Sequence, residues 1–178
     1  MWQFCLALLL TVFSAVAAAH ADCPPYQFFS PDQQAEHHIQ IRQQRFAHAV
    51  NDLLVESIGL EEPKSSRLSF TQPSNDGQTD TQSQCDFPVV VALKGADWGW
   101  HIAWLSRLHS GVFYARLDSQ AWVTSPAKRL FDGPVSQLRF EQQAQQIILH
   151  LQLTDGQPAP TMTLQSDDEG KDWQPPSR

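Results

Sequence analysis

Cysteine is scarce in this chain: three among 178 residues, with no Cys-x-x-Cys pair and no Cys/His cluster, so there is no ligand set for a structural zinc. Glycine is also sparse, at eight, and forms no Gly-rich run that could cradle a phosphate. Basic residues number twelve against nineteen acids, for a net charge of −7 and a pI near 5.3. Apart from Lys128-Arg129 they are scattered, which argues against a nucleic-acid partner. After residue 21 no apolar run reaches the roughly 20 residues of a membrane-spanning helix. No cofactor and no metal is expected.

The one long apolar run comes first. Leu6 to Ala19 has about the length of a signal-peptide core, and Ala19-His20-Ala21 places small residues at −3 and −1 of a cleavage site, so residues 1–21 read as a signal peptide. The competing reading is an N-terminal membrane anchor, for which the run is short. Export implies an oxidising compartment. Cys5 leaves with the signal, and Cys23 and Cys85 then pair or remain as two free thiols; a bond would close a loop of about 60 residues, worth roughly 4 kcal/mol in chain entropy. The mature chain of about 157 residues suits one domain.

Residues 22–63 carry a helical pattern. Ser30 or Asp32 can cap a start, and Ala35, Ile39, the stem of Arg42, Phe46, Ala49, Val50, Leu53, Leu54 and Ser57 recur at three-to-four spacing before Gly59 and Pro63, which predicts an amphipathic helix from about 32 to 58. Residues 64–86 are rich in Ser, Thr, Gln, Asn and Asp and read as a polar loop or linker, with Leu68 and Phe70 able to make a short strand. From Phe87 the period becomes two. Trp98, Trp100, Ile102 and Trp104 share one strand face; Phe113, Ala115 and Leu117 oppose Val112, Tyr114 and Arg116; Ile147, Leu149, Leu151 and Leu153 oppose Ile148, His150 and Gln152. Gly- or Asp-containing turns separate these runs at hairpin distance, so 87–178 is predicted to be an antiparallel β-meander.

Two stretches of that meander repeat. Residues from Gly99 and from Gln145 each give a strand, a short loop, a second strand, an Asp-containing turn, a Trp and then a proline, with Trp122 and Trp173 51 positions apart. The second turn, "SDDEGKDW", has Ser166 and Asp168 available to accept from backbone N–H groups, Gly170 free to take positive φ, and Trp173 placed to fold beneath the turn. This Ser-x-Asp-x-Gly-x-x-Trp pattern resembles the Asp-box, or bacterial neuraminidase repeat, of sialidase-like β-propellers; it departs at Asp172, where that family has Thr. The resemblance covers about residues 89–176. It implies a mainly β fold, α+β overall: a propeller-like meander of two Asp-box-type units preceded by one amphipathic helix. In that family the motif is structural and lies away from the catalytic site.

The resemblance does not bring the family's chemistry with it. Sialidases carry an Arg-Ile-Pro motif, absent here, together with an arginine triad that no spacing among Arg107, Arg116, Arg129 and Arg139 selects. Glu36, His37, His38 and His48 suggest a metal site, but eleven helical residues would hold His37 and His48 about 16 Å apart. His101 and His109 flank a hairpin loop without a third ligand, and Ser106 and Ser110 lack a nucleophile elbow. No catalytic residue is assigned. Trp98, Trp100, Trp104 and Tyr114 are the candidate ligand-binding aromatics, able to stack on sugars or anchor a partner, or else to fill the core.

The sequence therefore predicts an exported, non-enzymatic binding protein, periplasmic or secreted, of the bacterial envelope. Its partner would be another envelope protein or a second copy of itself. The alternative is a reduced sialidase-like glycan-binding or glycoside-hydrolysing protein. Two units would leave two open sheet edges, to be covered by the helix, by a further unit within 64–95, or by another subunit.

Overall fold

A computed structural model describes residues 25–29, 38–45, 51–58, 64–68, 87–95, 99–107, 110–118, 121–154 and 158–175. The expected signal peptide, Cys23 and Cys85 with their disulfide, Trp98 and the His37/His48 pair lie outside the described residues. Among the described residues every regular element is a β-strand, and all the pairing is antiparallel.

Eleven strands form three sheets in chain order. The first holds β1 (Tyr26–Phe29), β2 (His38–Arg45), β3 (Asn51–Ile58) and β4 (Ser65–Leu68); the second holds β5 (Val90–Gly95), β6 (Gly99–Ser106), β7 (Gly111–Leu117) and β8 (Val123–Asp132). The third has three strands, β9 (Val135–Gln143), β10 (Gln146–Leu153) and β11 (Thr161–Ser166). Within each sheet consecutive strands are neighbours, so each is a simple meander.

The first sheet corrects the sequence reading. Over 38–45 and 51–58 the expected helix is replaced by β2 and β3, paired from His38↔Ile58 to Arg45↔Asn51; the rest of the expected span, 32–37 and 46–50, lies outside the described residues. The physical reason is an alternation of period two. Ile39 and Ile41 are buried while Arg42 is exposed, and Leu53, Val55 and Ser57 are buried between half-buried Leu54, Glu56 and Ile58. β-Branched isoleucine and valine at the buried positions suit a pleated surface better than a helix. Part of the expected linker is also ordered, because Ser65–Leu68 pairs with β3, with Leu68 buried beside Leu53 and Val55; 69–86 is outside the described residues.

The three sheets stack in order, with the second in the middle. One of its faces, Trp100, Ile102, Trp104, Phe113, Ala115 and Leu117, packs against Ile39, Ile41, Leu53, Val55 and Leu68 of the first sheet. Its other face, Ala103, Leu105, Val112 and Tyr114, packs against Leu138, Leu149, Leu151 and Leu164 of the third. Every residue of β6 and β7 is consequently buried. The outward faces of the end sheets are largely polar: Gln27, Arg42, Ser65 and Arg67 are exposed on the first, Gln137, Arg139, Gln143 and Thr161 on the third. This is how a stack closes itself with hydrophilic covers.

Candidate functional site

The most elaborate local structure follows β11. Residues 167–173 reverse the chain so that Gln174 returns beside Gln165, each N–H donating to the other's carbonyl at 2.8 and 2.9 Å. Ser166 Oγ accepts from the Gly170 N–H at 2.8 Å and donates to Asp168 Oδ1 at 2.8 Å. The same Oδ1 accepts from the Asp172 N–H at 2.9 Å, and the Trp173 indole N–H donates to the Gly170 carbonyl at 3.2 Å. Desolvation pushes the Asp168 carboxyl up, but hydrogen bonds from the Asp172 N–H, the Ser166 hydroxyl and the Lys171 N–H outweigh it and hold its pKa below the ordinary value. Glu169 and Gly170 take φ of 58° and 80°, the left-handed region that tightens the reversal. Ser166, Asp168, Gly170 and Trp173 thus meet in one turn.

The turn in the second sheet shares part of this plan. Asp118 Oδ1 accepts from the Trp122 N–H at 2.9 Å and the Asp118 carbonyl from the Ala121 N–H at 3.1 Å, with Ala121 at φ 65°. Asp118, Ala121 and Trp122 therefore match Asp168, Lys171 and Asp172 by hydrogen bonding. Trp122 stands where Asp172 does, not where Trp173 does, and is 50% exposed. Aligning the two turns by their tryptophans is off by one residue.

The closing turn docks on the second sheet through Tyr114. Trp173 meets the Tyr114 ring edge-on, with centroids 5.0 Å apart and planes at 70°, and a Cβ on Gly170 would overlap the Tyr114 hydroxyl. Lys128 on β8 lies over the same ring at 5.7 Å and donates to the Lys171 carbonyl. Behind Tyr114 stands His101, 1% exposed, with Nδ1 2.7 Å from the phenol oxygen and the two rings stacked. Burial, and then the Arg116 guanidinium, lower the His101 pKa to about 4; burial raises that of Tyr114. Sequence reasoning missed this pair because it joined His101 to His109, which lies outside the described residues. The available signal was register: His101 lies opposite Arg116 and diagonal to Tyr114.

The expected aromatic stripe is not a surface. Trp100 and Trp104 are 4% and 2% exposed and face the first sheet, and Tyr114 is fully buried against the third. As candidate ligand-binding residues these three are corrected to core residues; alternation on a strand buried on both faces cannot display a ring to solvent.

What the third sheet does display is polar. Glu141, His150 and Thr163 run across its outer face, with His150 Nε2 3.0 Å from Glu141 Oε2 and Thr163 Oγ1 3.5 Å from His150 Nδ1. That last gap is longer than the 2.6–3.2 Å over which an imidazole activates a hydroxyl. Beside it, Gln165, Asp167, Asp168, Asp172 and Gln174 line a shallow hollow at the end of β11. No protein family, no curated protein and no solved structure matches the chain.

Proposed function

We propose that the chain is an exported, non-enzymatic interaction protein of the bacterial envelope, made of Asp-box-type blades, which receives an extended strand of a partner along the outer edge of β11. The observation that carries this reading is the uneven strand count. Among the described residues the first two sheets end in a fourth strand, β4 and β8, whereas the third has at that place the Gln165–Gln174 bridge. Because Gln165 exchanges both its backbone bonds with Gln174, the antiparallel alternation also turns the N–H and C=O groups of Thr163 and Thr161 away from β10. Among the described residues nothing pairs with them. Such an edge is a template for strand addition, in which main-chain hydrogen bonds supply affinity.

A photo-reactive residue at Thr163, compared with one at Gln143 on the far edge of the same sheet, tests this in the producing cell. Cross-links at 163 to one protein species or to a second copy of the chain, with few at 143, are the expected result. Equal labelling at both positions, or turnover of a glycoside by the purified protein, would overturn it. The glycan-binding alternative loses Trp100, Trp104 and Tyr114 as stacking platforms, and among the described residues it would use exposed Trp122 or the polar outer face around Thr163, His150 and Gln152. Chemical-shift changes confined to that face on addition of oligosaccharide would favour it.

A further inference from the structure

We propose that His101 and Tyr114 form a protonation-operated latch holding the closing turn of the third sheet onto the second. The geometry is a chain of three contacts. The turn rests on Tyr114 through Trp173 and Gly170; Tyr114 is held by its hydroxyl to His101; and His101 is wedged against Gly95, where an added Cβ would lie 2.5 Å from Nε2. Gly95 therefore admits the imidazole, and no side chain larger than hydrogen fits between β5 and the ring.

The charged groups around this chain decide its response to acid. Arg116 on β7 lies directly across from His101. Asp168 and Glu169 of the turn act on Tyr114 from the third sheet, and Lys128 of β8, with Asp172 and Lys171 beyond it, closes the other side. On β5, Lys94 turns to the opposite face, over Trp100 and towards Asp118. The nearest formal charge to His101 on its own sheet is thus a cation, and the imidazole is buried. An imidazolium there would be both desolvated and beside a guanidinium. Undocking of the turn lets water reach both, so protons favour the undocked arrangement. The sign follows from the His101 pKa of about 4 in the docked state against about 6.5 for a hydrated imidazole. The latch contributes fully above the higher value and fades as pH falls towards the lower one. The ratio of undocked to docked molecules should rise on the order of a hundredfold between pH 7 and pH 4.

The test is an NMR pH titration of the protein that follows the Trp173 indole N–H, assigned with Trp173→Phe, together with the His101 ring protons. The expected result is that Trp173 loses its ring-current shift from Tyr114 between pH 6 and 4 as His101 protonates. His101→Gln, whose amide can still reach the Tyr114 hydroxyl but takes no proton, should hold Trp173 in place over that range. Release of Trp173 at the same pH in His101→Gln overturns the proposal, since the carboxylates of the turn would then be responsible. If that variant fails to fold, the wild-type titration decides alone. His101 titrating near its ordinary pKa, or protonating without movement of Trp173, equally overturns it.

Discussion

At the scale of single residues, the closing turn sets the sharpest requirements. Gly170 combines a φ of 80° with direct contact to the Tyr114 hydroxyl, so Gly170→Ala is strained twice, in its backbone and against a buried ring. A loss of about 3 kcal/mol or more is expected in chemical denaturation. Ser166 is 2% exposed, and its hydroxyl bridges the Gly170 N–H and Asp168. Ser166→Ala should cost about 1–3 kcal/mol, because it leaves a buried N–H without its acceptor, whereas Ser166→Thr, which keeps the oxygen, should cost less. Comparing midpoints for the two variants checks this. The turn was legible in the sequence because its side chains act on their own backbone within four residues. The His101–Tyr114 contact was not, since it depends on strand register and on what the third sheet places above it.

At the scale of elements, β6 is the strand on which both halves of the packing depend. Ile102 points into the layer shared with the first sheet, while Leu151 on β10 points into the layer shared with the third; both are fully buried. Ile102→Ala and Leu151→Ala should each cost about 2–5 kcal/mol. They share no core, so the double variant should lose the sum to within about 0.5 kcal/mol, which a double-mutant cycle measures. β6, β7 and β10 could be read from the sequence because their runs are long enough to show their period, whereas β5 and β9 were not singled out. β2 and β3 could not: Leu53 and Leu54 are adjacent apolar residues, one buried and one half-buried, and together with Phe46, Ala49 and Val50 they satisfy a helical spacing as readily as a pleated one. Tertiary pairing with β1 and β4 resolved an ambiguity that local pattern left open.

For the whole molecule, protection should be graded by layer. Amides of β6 and β7, buried throughout and hydrogen-bonded on both sides, should exchange slowest, and the outward amides of Thr161 and Thr163 among the fastest in any strand. Hydrogen exchange followed residue by residue checks the order; equally slow exchange at Thr163 would mean that its edge is occupied. The stacking of three sheets could not be read from the sequence. Strands 99–106 and 111–117 look amphipathic only until both of their faces are counted as apolar, and a repeat of two units gave no sign that residues 26–68 supply a third sheet.

The shared middle sheet also sets an order as the chain emerges, whether from the ribosome or from an export channel. Its first face can be covered as soon as residues 26–117 have emerged, because the first sheet precedes it. Its second face, with Leu105, Val112 and Tyr114, stays bare until β9 to β11 have been made. A chain stopped before Val135 would therefore present an apolar β-surface to its neighbours, the kind of surface that recruits chaperones or aggregates. Arrival of β9 to β11 is what covers that sticky face, and substitutions in β10 should lower yield more than their effect on the stability of the folded chain would suggest.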